Sequence, residues 1–157
     1  MTTKDFTLSL LTDQSPEKVF QSVNNVRNWW SGYYSEEIIG DTEKLNDEFS
    51  FSAGEGAHFT RHKLVKVIPN KKVVWLTTES KLNFIQKQDE WTGSKVIFEI
   101  SQIGNKTELV FTHEGLNPEA ECYEACAPAW TQYLQGKLLP LINSDNNLVT
   151  VYPIPDT

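Results

Sequence analysis

Between residues 49 and 113 the chain repeats one pattern: short runs of alternating apolar and polar residues, each ended by a turn signal. One helical stripe then follows, and no second long one. This order constrains the fold more than any other feature. Phe49 and Phe51 alternate with Ser50 and Ser52, and Gly54-Glu55-Gly56 supplies a turn. Residues 57–68 read as a long strand with Phe59, Val65 and Val67 on one face. Pro69-Asn70-Lys71 reverses the chain, and residues 73–78 return as a β-branched strand. Residues 95–102 alternate through Val96, Phe98 and Ile100. Gly104-Asn105 is a two-residue hairpin signal, and residues 107–113 run back with Leu109, Phe111 and His113 on one face.

An earlier strand is expected over residues 6–10, followed by a helix with Ser15 at the N-cap and Pro16 at the first helical position. A second short helical turn carries residues 26–30. At the far end Trp130, Leu134, Leu138 and Leu141 recur at helical spacing. Pro128 is expected in the first turn of that helix, where a missing N–H is tolerated, with residues 119–126 as a separate lead-in and Pro140 fraying the end. Residues 80–90 read as a strand end with a loop, and residues 144–157 as a tail or a late edge strand. An antiparallel sheet of six or seven strands must cover its apolar face, and one long helix is at hand to do it. The expected fold is α+β: one domain over residues 1–157, a curved sheet gripping the C-terminal helix. A bent sheet and a lone helix rarely fill their shared interior, so a cavity between them is expected.

Charge and chemistry narrow the function. The net charge of −7 argues against a nucleic-acid surface and against anionic lipid. No signal peptide is evident, and the apolar runs are far too short to span a bilayer, which places the chain in the cytoplasm without membrane insertion. Cys122 and Cys126, if helical, hold their Cβ atoms about 5–6 Å apart, whereas a disulfide needs about 3.5–4.5 Å, so reduced thiols are expected. His58 and His62, four apart on one strand, lie about 13 Å apart and cannot share one metal ion. Cys122, Cys126 and His113 match no standard zinc spacing. No nucleophile elbow, phosphate loop or dinucleotide fingerprint occurs. No catalytic residue, metal or cofactor is assigned.

His113-Glu114 invites an acid–base reading, but adjacent strand residues point to opposite faces; a rim histidine bonded to the first helix or the loop near Trp30 is the expectation. What stands out is the rings, five Trp, five Tyr and eight Phe. They either fill the core or line a pocket. The candidate ligand-binding set is Trp30, Phe51, Phe59, Trp75, Trp91, Phe98, Phe111, His113, Trp130, Tyr133 and Leu134, with Tyr133, His113, Thr112 or Arg61 as polar handles.

Several segments, in order, resemble the START-like (SRPBCC, helix-grip) superfamily and, within it, the subfamily named for the activator of 90-kDa heat shock protein ATPase. They are residues 15–20 opening the first helix, Trp29-Trp30, Val73-Val74-Trp75, Trp91-Thr92-Gly93-Ser94, residues 107–116, and Trp130 with Tyr133-Leu134. That superfamily usually has Gly before the helix Trp, where this chain has Ala129. The resemblance implies a helix-grip fold and three functional classes. The first is a binder of a hydrophobic or aromatic small molecule, as a monomer or homodimer. The second is a chaperone partner that stimulates its ATPase. The third is an enzyme of the polyketide cyclase or hydrolase kind using His113 as base.

Overall fold

A computed structural model describes residues 4–144. Seven strands form one antiparallel sheet: β1 (Phe6–Thr12), β2 (Glu37–Gly40), β3 (Glu48–Ala53), β4 (His58–Ile68), β5 (Lys72–Leu82), β6 (Lys95–Ile103) and β7 (Lys106–His113). Their order across the sheet is β1-β7-β6-β5-β4-β3-β2. Each β2-to-β7 neighbour follows the last in sequence, and β1 closes against β7 with Phe6 opposite His113. The β6–β7 hairpin turns at Gly104-Asn105 with Ile103 paired to Lys106, as its dipeptide predicts. Gly104 takes φ +65°, the left-handed region that this turn demands. Two register shifts in the β4–β5 pair, at Arg61/His62 and at Leu64/Lys66, bend the sheet.

The second shift also corrects a face assignment. Thr60, His62 and Leu64 are buried on the inner face, so Phe59 lies on the outer one, half-buried. Past the irregularity the parity changes, and Val67 packs against the core. Val65 stays exposed. The expected apolar face of 59, 65 and 67 is therefore split.

Helix α1 (Pro16–Asn24) begins as its sequence predicts: Ser15 caps it by accepting from the Lys18 N–H, and Pro16 occupies the first turn. A 3₁₀ turn at Val26–Asn28 leads to Trp29 and Trp30. The edge strand β2 has no counterpart in the sequence reading.

The C-terminal helix runs unbroken as α2 (Tyr123–Tyr133), a π turn (Leu134–Leu138) and α3 (Leu139–Asn143). Pro128 thus lies inside α2 rather than in a first turn, and no separate helix precedes it. The π turn ends just before Pro140, whose ring can neither donate to nor approach the carbonyl of residue 136 in an α-helix. That wider turn also keeps every fourth residue in line: Trp130, Leu134, Leu138 and Ile142 are buried, and Leu141 is only half-buried. Within the turn, Gly136 lets the Tyr33 hydroxyl approach the helix backbone, and a Cβ there would push that hydroxyl aside.

The helix lies across the concave face of the sheet. Between them sit Trp29, Trp30, Trp75, Trp130, Phe49, Phe51, Phe98 and Phe111, all nearly inaccessible to solvent. Among the described residues no helix is long and apolar enough to cross a membrane. The sequence-predicted tail strand over residues 148–152 lies outside the described residues.

Candidate ligand-binding site

One end of the interior is not filled. A cavity of about 260 Å³ opens between β3, β4 and the C-terminal helix. Its rings are Trp30, Phe51, Trp130, Tyr133, Tyr34, Phe84 and the imidazole of His58; its small residues are Ala53, Gly54, Ala57, Ala125, Cys126 and Ala129. The cavity exists because of the small residues. Ala125, exposed, and Ala129, half-buried, are one helical turn apart where the helix lines the cavity, and Ala53, Gly54 and Ala57 flank the β3–β4 turn. Where two elements both present methyls or hydrogens, side chains from neither side can meet.

The ring wall is ordered by stacking. Trp30 lies 3.7 Å from Phe51 at 8° and 4.9 Å from Trp130 at 22°. Trp130 in turn stacks on Trp91 at 5.9 Å. Trp75 and Trp29 back this stack at 5.6 and 6.3 Å from Trp30. Each such pair adds about 0.5–1.5 kcal/mol beyond its buried area, so the wall is rigid before any ligand arrives.

Two loops frame the mouth. Residues 31–36 are strapped to the helix through Glu36, which accepts from the Gly32 and Tyr33 N–H groups and from the Tyr133 hydroxyl at 2.5 Å. Burial alone would raise the Glu36 carboxyl, but these hydrogen bonds outweigh it and hold it below the usual range, while Tyr133, desolvated and facing that carboxylate, is raised. Tyr34 bonds Gln132 on the helix, and its carbonyl accepts from the Gly54 N–H. On the other side Phe84, exposed and stacked 6.2 Å from His58, stands beside the opening. Its loop is tied to the helix start by reciprocal carboxylates. Glu121 accepts from the Gln86 and Lys87 N–H groups; Glu90 accepts from the Glu121 and Cys122 N–H groups.

Of the sequence-predicted set, Trp30, Phe51, Trp130 and Tyr133 reach this cavity. Trp75, Trp91, Phe98, Phe111, His113 and Leu134 are buried behind it in the core. Phe59 faces away. Of the polar handles, Arg61 pairs with Glu79 at 3.8 Å, and Thr112 lies beside Thr7. Neither enters the cavity.

His113 is not a rim residue. It is 1% exposed, and both ring nitrogens are engaged: Trp130 Nε1 donates to Nδ1 at 3.0 Å, and Nε2 lies 3.0 Å from Ser94 Oγ. The Ser94 hydroxyl donates to the Trp91 carbonyl at 2.7 Å. Burial, with the His58 charge second, pushes the His113 pKa down to about 3. A ring so placed has no lone pair to offer a substrate.

One cysteine departs from the sequence reading in position: Cys122 sits at the helix cap, not within the helix, and its sulfur lies against that of Cys126, the Cα atoms being 5.5 Å apart.

Sequence reasoning missed His58, Tyr34, Phe84 and the alanines. The alanine signal was present as a pair of small residues at i and i+4 on the helix that also carries Trp130. The sequence offers His58 only as a metal-ligand candidate.

The family profile described as Activator of Hsp90 ATPase homolog 1-like protein matches residues 13–140. The chain belongs to this family. Its fold is that of the START-like (SRPBCC) relatives. The solution structure of the Aha1 dimer from Colwellia psychrerythraea is similar with a TM-score of 0.67 at 20% identity, over 91% of this chain and 99% of that one. Protein CV1439 from Chromobacterium violaceum matches with a TM-score of 0.67 at 14% identity, over 90% of this chain and 99% of that one. Protein MLL2253 from Mesorhizobium loti matches with 0.66 at 18% identity, over 90% and 99%. No curated protein matches the chain. At these identities the likeness establishes the fold, and activity must be argued from the site.

Proposed function

We propose that this family member is a small-molecule-binding protein that holds an apolar, aromatic ligand between its sheet and its C-terminal helix, without covalent chemistry of its own. The observation that carries this reading is the cavity of about 260 Å³ walled by stacked rings and kept open by five alanine and glycine residues. Its size is just below the usual range for drug-like ligands, which suits a compact two- or three-ring molecule. Burial at roughly 25 cal/mol per Å² of apolar surface supplies the affinity. The ring wall offers quadrupole-matched faces for stacking.

Titrating the protein with a panel of aromatic fragments while following Trp fluorescence tests this directly. Trp30 and Trp130 form the wall, so saturable quenching or a spectral shift is expected. Absence of any response across two- and three-ring fragments would defeat it.

A second reading is favoured by the family's description: a partner that stimulates a chaperone ATPase. The Colwellia protein of that name is similar in fold. Mixing this chain with the chaperone and measuring ATP turnover decides it, since stimulation would promote this reading regardless of the cavity.

A further inference from the structure

The cavity wall contains one polar group whose needs the fold does not meet. Tyr34 donates its hydroxyl to Gln132, Tyr133 donates to Glu36, and Trp130 donates to His113. His58 differs. Its ring lines the cavity, set edge to face against Trp91 at 4.8 Å and Phe51 at 5.4 Å, and its Nδ1 is buried with no hydrogen-bond partner among the described residues. Nδ1 has almost no accessible surface, so Nε2, which is not closed off in this way, is the ring nitrogen that a ligand group in the cavity can meet.

Among the described residues, no Lys, Arg, Asp or Glu belongs to the wall. A carboxylate or ammonium entering it would lose its water and find no counter-charge. Burial lowers the His58 pKa to about 4, so near neutral pH the ring is itself uncharged, with one nitrogen donating and the other accepting. A hydroxyl can do either and suits both tautomers. The stacked faces of Phe51, Trp30 and Trp130 favour a flat ring system beside it.

We propose that the cavity selects a neutral aromatic hydroxyl compound, of the phenol or naphthol class, with its hydroxyl set on His58. This rests on the binding reading above and adds the chemistry of the ligand.

The test is calorimetric titration at neutral pH with 2-naphthol, naphthalene and 2-naphthoate. These share one ring system and differ only in the polar group. The expected order is naphthol tightest, naphthalene about tenfold weaker, which corresponds to one recovered hydrogen bond, and naphthoate at least as weak as naphthalene. His58→Phe should abolish the advantage of naphthol while leaving naphthalene bound. Nitrogen NMR of the unmodified protein gives an independent readout: a His58 ring-nitrogen shift on adding naphthol but not naphthalene. Equal binding of naphthol and naphthalene, tightest binding of naphthoate, or a silent His58 ring would overturn the hydroxyl assignment and leave the cavity reading standing. Failure of all three compounds to bind would overturn both.

Discussion

The Trp130 indole donates its N–H to His113 Nδ1 at 3.0 Å, and this one contact fixes the protonation of a buried histidine. An indole nitrogen is a donor only, so Nδ1 must accept, and the ring proton must sit on Nε2 facing Ser94. The C-terminal helix is thereby pinned to β7, beside the cavity wall that Trp130 forms. Replacing His113 with Ala would leave the Trp130 N–H and the Ser94 hydroxyl facing a void. The expected loss is about 2–4 kcal/mol of unfolding free energy by denaturant titration. A variant as stable as the parent would show that this contact does not hold the helix.

Acid should weaken the fold through the same chemistry. Burial lowers His58 to about 4 and His113 to about 3, and it lowers His62 well below its ordinary value, with repulsion from the other two histidines adding to it. A histidine whose folded pKa is depressed stabilises the fold fully above its unfolded value near 6.5, and that stability is lost as pH falls below it. At pH 5 each of His58 and His113 should cost about 2 kcal/mol relative to neutral pH, because the unfolded chain takes up a proton that the folded chain refuses. Urea midpoints measured from pH 7.5 to 5 should fall steadily. A flat profile over that window would mean that these rings protonate in place.

The sheet and its helix were legible in the sequence because strand alternation and the helical stripe are local patterns. Ser15 capping α1 and Gly104-Asn105 turning the last hairpin are equally local, and both appear as read. What was not legible depends on contacts between distant residues. The irregularity near Val65 puts Val67 on the opposite face from Phe59, and nothing in the local sequence signals it. His113 looked like a rim residue because the strand ends there, but Trp130, 17 positions on, folds over it. The cavity was expected from architecture, yet its walls are set by alanines, which a search for rings passes over.

Glu90 serves the first turn of the C-terminal helix from another part of the chain. Its carboxylate accepts from the Glu121 and Cys122 N–H groups at 2.6 and 2.9 Å, where the helix would otherwise expose unpaired donors. Glu90→Ala should cost about 1 kcal/mol, in line with the loss of a helix cap. Amide exchange at Glu121 and Cys122 should quicken. Glu90→Gln, which keeps one acceptor, should lose less. Unchanged exchange at those amides would show that the loop is held by other contacts.

Tyr133 links the helix to the mouth of the cavity through Glu36. Tyr133→Phe keeps the ring and removes only the hydroxyl that donates to the carboxylate. Loss of that donor should raise the Glu36 pKa toward the ordinary carboxylate range, because the hydrogen bond favours the charged form. Carbon NMR of the Glu36 carboxyl reads this shift. The Gly32 and Tyr33 amides should also exchange faster. A Glu36 titration identical in parent and variant would mean that the loop amides alone fix its charge state.

Filling the cavity separates binding from stability. Ala129 is half-buried and lines the hollow, as do Ala125 one turn away and the stacked Phe51 and Trp30. Ala129→Phe would project a phenyl ring into space that nothing else occupies, adding apolar burial without displacing a core side chain. Cavity-filling substitutions commonly leave stability unchanged or raise it by about 0.5–2 kcal/mol. The same ring would exclude a ligand from the stacked wall, so affinity for two-ring aromatics should fall by at least about tenfold while the denaturation midpoint holds or rises. A variant that binds as tightly as the parent would place the ligand elsewhere. One that loses binding together with its fold is resolved by Ala125→Leu, a smaller intrusion from the same helix face, which should weaken binding in the folded protein.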